Sequence, residues 1–185
     1  MPLRWILLGL LVLVLAACSG YRQPPAAFHE TLTQPYRLDS SDQVRVIVFG
    51  QDTLSNNYVV DQAGYISFPL IGAVAARGKT QMELAAEISR KLKQGYLRDP
   101  DVSVEVATYR PFFIMGEVQN PGQYSYVAGM TAQNAIATAG GFSARAQQQD
   151  VDLTRQVNGE ILNGRVPISD PIRPGDTIYV RERYF

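Results

Sequence analysis

Few residues in this 185-residue chain have the type and spacing for chemistry, and each has an ordinary alternative. Gly78-Lys79-Thr80 ends the stretch GAVAARGKT and matches the last three letters of a nucleotide-binding P-loop. That loop needs G-x-x-x-x-G-K-[ST], because the backbone N–H groups between its glycines wrap the phosphates. Position 73 is alanine and Gly72 lies one residue too far away, so the spacing predicts a turn and a helix start. His29 is the only histidine and Cys18 the only cysteine, which leaves no basis for histidine catalysis or a multi-histidine metal site. Glycan hydrolysis would need two convergent carboxylates roughly 5–10 Å apart. Asp61, Asp99, Asp101 and Asp176 instead occupy turn-like contexts close to Gly or Pro, where aspartate organises backbone. The residues therefore read as those of a protein that is not an enzyme, with no cofactor and no metal.

Cys18 carries the one chemical claim. Arg4 precedes an apolar run from Trp5 to Ala17, too short for a bilayer span of about 20 residues but suited to a signal peptide. Leu15-Ala16-Ala17-Cys18 resembles a bacterial lipobox, in which the cysteine is lipidated and becomes the first residue. Residues 1–17 are then a lipoprotein signal peptide, and 18–34 a lipidated N-terminus and a Pro-containing linker that includes His29. Several acyl chains at about 0.8 kcal/mol per buried CH₂ would anchor the chain stably. Ser19, where an aspartate would favour inner-membrane retention, leans towards the outer membrane. The full chain has 17 basic and 17 acidic side chains, and loss of Arg4 leaves one acid in excess. No basic patch of the kind nucleic-acid binding needs is present.

The elements that would frame these residues are strands and two helices. Ser40-Ser41-Asp42 is a turn before a strand at 44–49. NYVVDQAGYISFPLIGAVAARG reads as a hairpin turning at 61–64, followed by a third strand after a turn at Ile71-Gly72. Thr80-x-x-Glu83 is a capping box, and Leu84, Ile88 and Leu92 make one apolar stripe on the helix it opens, with Gly95 placed to close it. Asp99-Pro100 positions the next strand, whose Val102, Val104 and Val106 share a face. PFFIMGEVQNPGQY gives a hairpin turning at Asn120-Pro121-Gly122, and Gly129-Met130-Thr131 leads into a short helix closed by Gly140. A hairpin at Asn158-Gly159 and a strand at 177–180 complete the chain. Gly78-Lys79-Thr80 is echoed by Gly129-Met130-Thr131, and Ser41-Asp42 by Gly175-Asp176, which argues for two related α+β units. Tyr58, Tyr65 and Tyr124 are assigned to sheet faces and hairpin flanks.

Taken in order, these pieces resemble the bacterial polysaccharide export family of outer-membrane lipoproteins. The export domain is suggested over 35–108 by VDQAGYISFPLIG, the Gly78-x-Thr80 helix start and YLRDPDVSVEV. FIMGEVQNPGQY, GMTAQNAIATAGGF and PGDTIYV resemble a soluble-ligand-binding β-grasp domain over 109–185. The implied fold class is α+β. The motif positions, read as backbone structure and not as ligand contacts, are Asp42, Asp61, Gly64, Pro69, Gly72, Gly78, Thr80, Asp99 and Pro100. In the second half they are Gly116, Pro121, Gly122, Thr131, Gly140, Gly141, Pro174, Gly175 and Asp176. The family has a Gly-Asp turn where this chain has Ser41-Asp42, a change that a negative φ would accommodate. The resemblance implies a periplasm-facing component of capsular or exopolysaccharide export that assembles as a homo-oligomeric ring. Its implied partners are the polysaccharide cargo and an inner-membrane polysaccharide co-polymerase. Longer relatives carry a second β-grasp domain and a pore-lining helix. A chain ending at Phe185 would therefore need a separate outer-membrane β-barrel. The alternative is a glycan-binding adaptor that forms no conduit.

Overall fold

The computed structural model describes residues 34–157 and 159–183. Cys18, the signal peptide, His29, Asn158 and the terminal Tyr184-Phe185 lie outside the described residues. Within them the chain is α+β: ten strands and two helices gathered around two hydrophobic cores.

The first core is built on β1 (Gln43–Val48), which alternates buried and exposed residues at the period of a half-buried strand. β1 is the centre of an antiparallel sheet, flanked by β2 (Asn56–Val59) and β5 (Val102–Thr108). Its buried valines 44, 46 and 48 face Val106, Val104 and Val102 across the ladder. β3 (Tyr65–Phe68) and β4 (Gly72–Ala75) form a separate hairpin, and α1 (Gln81–Leu92) covers the core with Leu84, Ile88 and Leu92.

This pairing corrects the expected order of hairpin and third strand. β2 gives its ladder to β1, and the 61–64 turn is a corner between two sheets. The real hairpin is β3–β4, and it turns at Pro69-Leu70-Ile71 with Leu70 at φ 69°, so that Gly72 already opens β4. Alternation fixes which face a strand buries but says nothing about its partner, and this is where the sequence pattern misleads. The three tyrosines lie on strands as expected: Tyr65 is on the β3–β4 hairpin and 43% exposed, while Tyr58 packs on Phe68 and Tyr124 on Phe112.

Thr80 caps α1. Its hydroxyl accepts the Glu83 N–H at 3.2 Å, and the Glu83 carboxylate accepts the Thr80 N–H at 2.7 Å. Thr80→Ala should cost about 1 kcal/mol, read as a lowered denaturation midpoint of this unit. The Thr80 N–H, with Arg37 adding to it, holds the Glu83 carboxyl below the usual carboxylate range. A group lowered in this way contributes fully above its unfolded pKa, and the contribution is lost as pH falls through the lowered folded value. Glu83→Gln should therefore remove part of the acid-side loss of helix stability, measured as a flatter pH dependence of α1 amide exchange. Beyond the helix Gly95, at φ 108°, turns the chain so that the Tyr96 and Leu97 N–H groups both donate to the Leu92 carbonyl.

The second core lies under a mixed five-stranded sheet, in the order β7 (Gly122–Tyr124), β6 (Phe112–Gly116), β10 (Thr177–Val180), β8 (Asp150–Val157), β9 (Glu160–Pro167). The first and last strands of the unit, β6 and β10, run parallel side by side, as in a β-grasp, and the hairpins flank them. α2 (Ala132–Thr138) packs Ala135 and Ile136 into this core. Thr131 caps it through a capping box completed by Asn134. Gly159, at φ 87°, ends the tight β8–β9 connection, where Val157 faces Glu160.

Candidate functional site

The internal echo seen in the sequence has a geometric basis. In each half an aspartate closes a tight turn by accepting the N–H three residues before it. Asp39 donates to Asp42 Oδ2 at 2.8 Å, and Arg173 donates to Asp176 Oδ2 at 2.7 Å. The residue before each aspartate is left-handed: Gly175 has φ 84° and Ser41 φ 72°. The serine therefore does not take the negative φ expected of it, because the same turn geometry is imposed on both halves. Ser41→Gly should stabilise the first unit by about 0.5–1 kcal/mol, since the relieved strain exceeds glycine's added chain entropy. Each turn also lays a buried residue against the helix start of its own half: Leu38 donates to the Lys79 carbonyl at 2.9 Å, and Ile172 to the Met130 carbonyl at 3.0 Å. Gly78-Lys79-Thr80 is thus a docking loop and helix cap. Its Gly78 N–H is spent on the Leu38 carbonyl at 2.8 Å.

Both aspartates are buried, and both are paired with arginine. Asp42 ties the two units together: its carboxylate accepts the Tyr36 hydroxyl at 2.6 Å, the Arg110 N–H at 2.8 Å and the Arg110 guanidinium at 3.4 Å. Asp176 receives Arg155 in a two-pronged pair, Nε to Oδ1 at 2.9 Å and Nη2 to Oδ2 at 2.7 Å. Burial pushes the Asp176 carboxyl upwards, and the hydrogen bonds from Arg155 oppose that. Burial also raises the Tyr36 phenol far above its ordinary value, so it stays a neutral donor to Asp42. Tyr36, Tyr109 and Tyr126 form an edge-to-face run, with centroids 5.0 and 5.4 Å apart, across the junction of the units.

Between the two turns lies a cleft of about 580 Å³. Arg37, Arg77, Arg110, Arg155 and Arg173 line it, and Asp39 is the one carboxylate among its lining residues. Arg77 reaches Asp39 at 2.9 Å and also bonds Ser40 and the Gln62 carbonyl. Glycines hold two of these arginines in place. A Cβ on Gly64 would sit 2.6 Å from the Arg77 Cβ, and one on Gly175 would sit 2.6 Å from the Arg110 Nε. Burial, then the neighbouring Arg155, pushes the Arg173 guanidinium down from its ordinary value.

Of the motif residues, the fold brings Asp42, Gly78, Pro174, Gly175 and Asp176 to the cleft or directly behind it. Gly64 reaches it through Arg77. The others are dispersed. Asp61 accepts the Tyr65 N–H at 2.8 Å, Pro69 sits in the β3–β4 turn, and Asp99 is exposed, with Lys93 3.3 Å away. Pro100 is buried, and its carbonyl accepts the Ser89 hydroxyl at 3.0 Å. Gly116 abuts β10, Pro121 and Gly122 lead into β7, Thr131 caps α2, and Gly140 and Gly141 follow it with positive φ. The five arginines were missed. They are spread from 37 to 173, and a sequence with balanced charge gives no sign that they converge; the one available hint was that Arg37 and Arg173 stand a few residues before the echoed Ser41-Asp42 and Gly175-Asp176 pairs.

Two small α+β units whose buried turn aspartates are committed to backbone N–H groups and arginines make a scaffold for holding and positioning. Residues 30–107 match the polysaccharide biosynthesis/export protein family and residues 111–166 the SLBB domain. The chain belongs to the polysaccharide biosynthesis/export protein family, and the relatives matched carry the names of production, export and transport proteins. It is 40% identical over 118 residues to the exopolysaccharide production protein ExoF of Rhizobium meliloti, covering 57% of this chain and 28% of that protein. It is 33% identical over 162 residues to the EPS I polysaccharide export outer membrane protein EpsA of Ralstonia nicotianae, covering 82% and 42%. It is 29% identical over 159 residues to the polysialic acid transport protein KpsD of Escherichia coli, covering 80% and 28%. The matches thus span less than half the length of each of these relatives.

Proposed function

We propose that this protein takes part in exporting capsular or exopolysaccharide as a periplasm-facing lipoprotein of the outer membrane, assembled as a ring. The observation that carries the reading is the ordered pair of domains, 30–107 and then 111–166, with similarity to EpsA running through 82% of the chain. The work is passage of a hydrated polymer, in which no bond is made or broken. Cys18 supplies the anchor through its acyl chains, and the export domain meets an inner-membrane co-polymerase. A conduit must hold its cargo weakly, and a scaffold whose carboxylates are already paired suits that demand.

The test is the state of the full-length protein purified from membranes in detergent. Labelled palmitate should enter the wild type and fail to enter Cys18→Ser, and light scattering should give a mass several times that of one chain. An unlabelled wild-type protein would remove the lipoprotein assignment. A monomer would favour the adaptor that binds glycan without forming a conduit.

A further inference from the structure

We propose that the cleft between the two units binds the carboxylate of an acidic sugar in the exported polysaccharide, with Arg173 as the group that receives it. The source of that sugar rests on the export reading; the binding chemistry rests on the cleft alone.

Its size, about 580 Å³, falls within the range of about 300–1,000 Å³ that small-ligand sites occupy. Its charge is unbalanced in one particular place. Arg77 is engaged by Asp39, Arg110 by Asp42, Arg155 by Asp176 and Arg37 by the Gly78 carbonyl at 2.6 Å. Among the described residues the Arg173 guanidinium has no hydrogen bond or ion pair, although it is half-buried. Its near carboxylate, Asp176, is already spent on Arg155. A guanidinium withdrawn from water beside a second cation is costly, and an anion placed against it relieves both desolvation and repulsion. Its planar fork matches a carboxylate through two parallel hydrogen bonds.

The surroundings suit a sugar. The exposed Pro35 and the half-buried Tyr36 ring line the same cleft as the cation and give apolar surface where the C–H face of a pyranose can rest. Arg110 lies 5.9 Å over the Tyr36 ring, and Gly175 leaves room for its Nε, so the wall is fixed before a ligand arrives. A single charge-assisted contact of this kind, exposed to salt, gives weak and reversible holding, as a moving polymer requires.

The test uses the full-length protein in detergent and ligand-observed NMR titration, with trigalacturonate as probe and its methyl ester as the uncharged twin. The acid should bind, and more weakly as salt rises; the ester should bind about tenfold less tightly or worse. Arg173→Gln should lose about ten- to a hundredfold in affinity, the range of a hydrogen bond to a charged group. Arg173→Lys should restore part of that loss, and the unfolding midpoint should stay at the wild-type value in both variants. No binding of trigalacturonate, equal binding of acid and ester, or wild-type affinity in Arg173→Gln would each overturn the site. Inorganic phosphate competing as well as the trimer would overturn the sugar assignment. The export reading is judged separately: export that persists without the gene removes it, whatever trigalacturonate does at the cleft.

Discussion

Asp176→Asn is expected to lower the stability of the second unit by about 3–5 kcal/mol, the cost of leaving a buried charge without its counter-charge. Arg155 is 3% exposed and Asp176 is 1% exposed, so solvent cannot take over the missing charge. The substitution also weakens an acceptor that closes the turn, since the Arg173 N–H donates to the same carboxylate. Amide exchange resolves the effect by unit: β8 and β10 should lose most of their protection while α1 keeps its own. Asp99→Asn is the control. Asp99 is 91% exposed beside Lys93, and surface pairs of that kind are worth about 0–1 kcal/mol. Equal effects at the two positions would mean that the buried pair does not organise the unit.

Gly116→Ala should be comparably severe for a different reason. Gly116 ends β6 with φ 87° and faces Val180 across the parallel ladder. A Cβ there would lie 2.1 Å from the Val180 carbonyl oxygen, a backbone atom that also accepts the Glu117 N–H at 2.8 Å. Left-handed strain of about 1–2 kcal/mol and a forced shift of about 1–3 kcal/mol act together. The loss should be about 2–5 kcal/mol. Gly72→Ala separates the two causes, because Gly72 has φ 69° but nothing within 4 Å of an added Cβ. It should cost only the strain, about 1–2 kcal/mol. Both are read from denaturant midpoints.

The parts of this fold legible in the sequence are those encoded over a few neighbouring residues. The Thr80–Glu83 capping box and the four-residue spacing of Leu84, Ile88 and Leu92 mark α1, and valine alternation marks β1 and β5. The echo of Ser41-Asp42 in Gly175-Asp176 is also local, and it carries the shared turn. What was not legible depends on partners distant in sequence. Asn56–Val59 could have paired with either neighbour in the chain, and only the open edge of β1 decides it. The sign of φ at Ser41 is set by the need to bring the Asp39 N–H onto Asp42, a constraint visible only once the turn is closed. The arginine cleft exists because residues 36–42 meet the start of β6 and the 173–176 turn, joining segments more than a hundred residues apart.

The central claim is that this chain serves polysaccharide export, and deletion of its gene tests it most directly. Polymer is measured at the cell surface, in the medium and in the periplasm, with and without an intact copy supplied in trans. The account predicts that surface and secreted polymer fall and that the intact copy restores them. Unchanged polymer in every fraction, in a strain with no second copy, would contradict it.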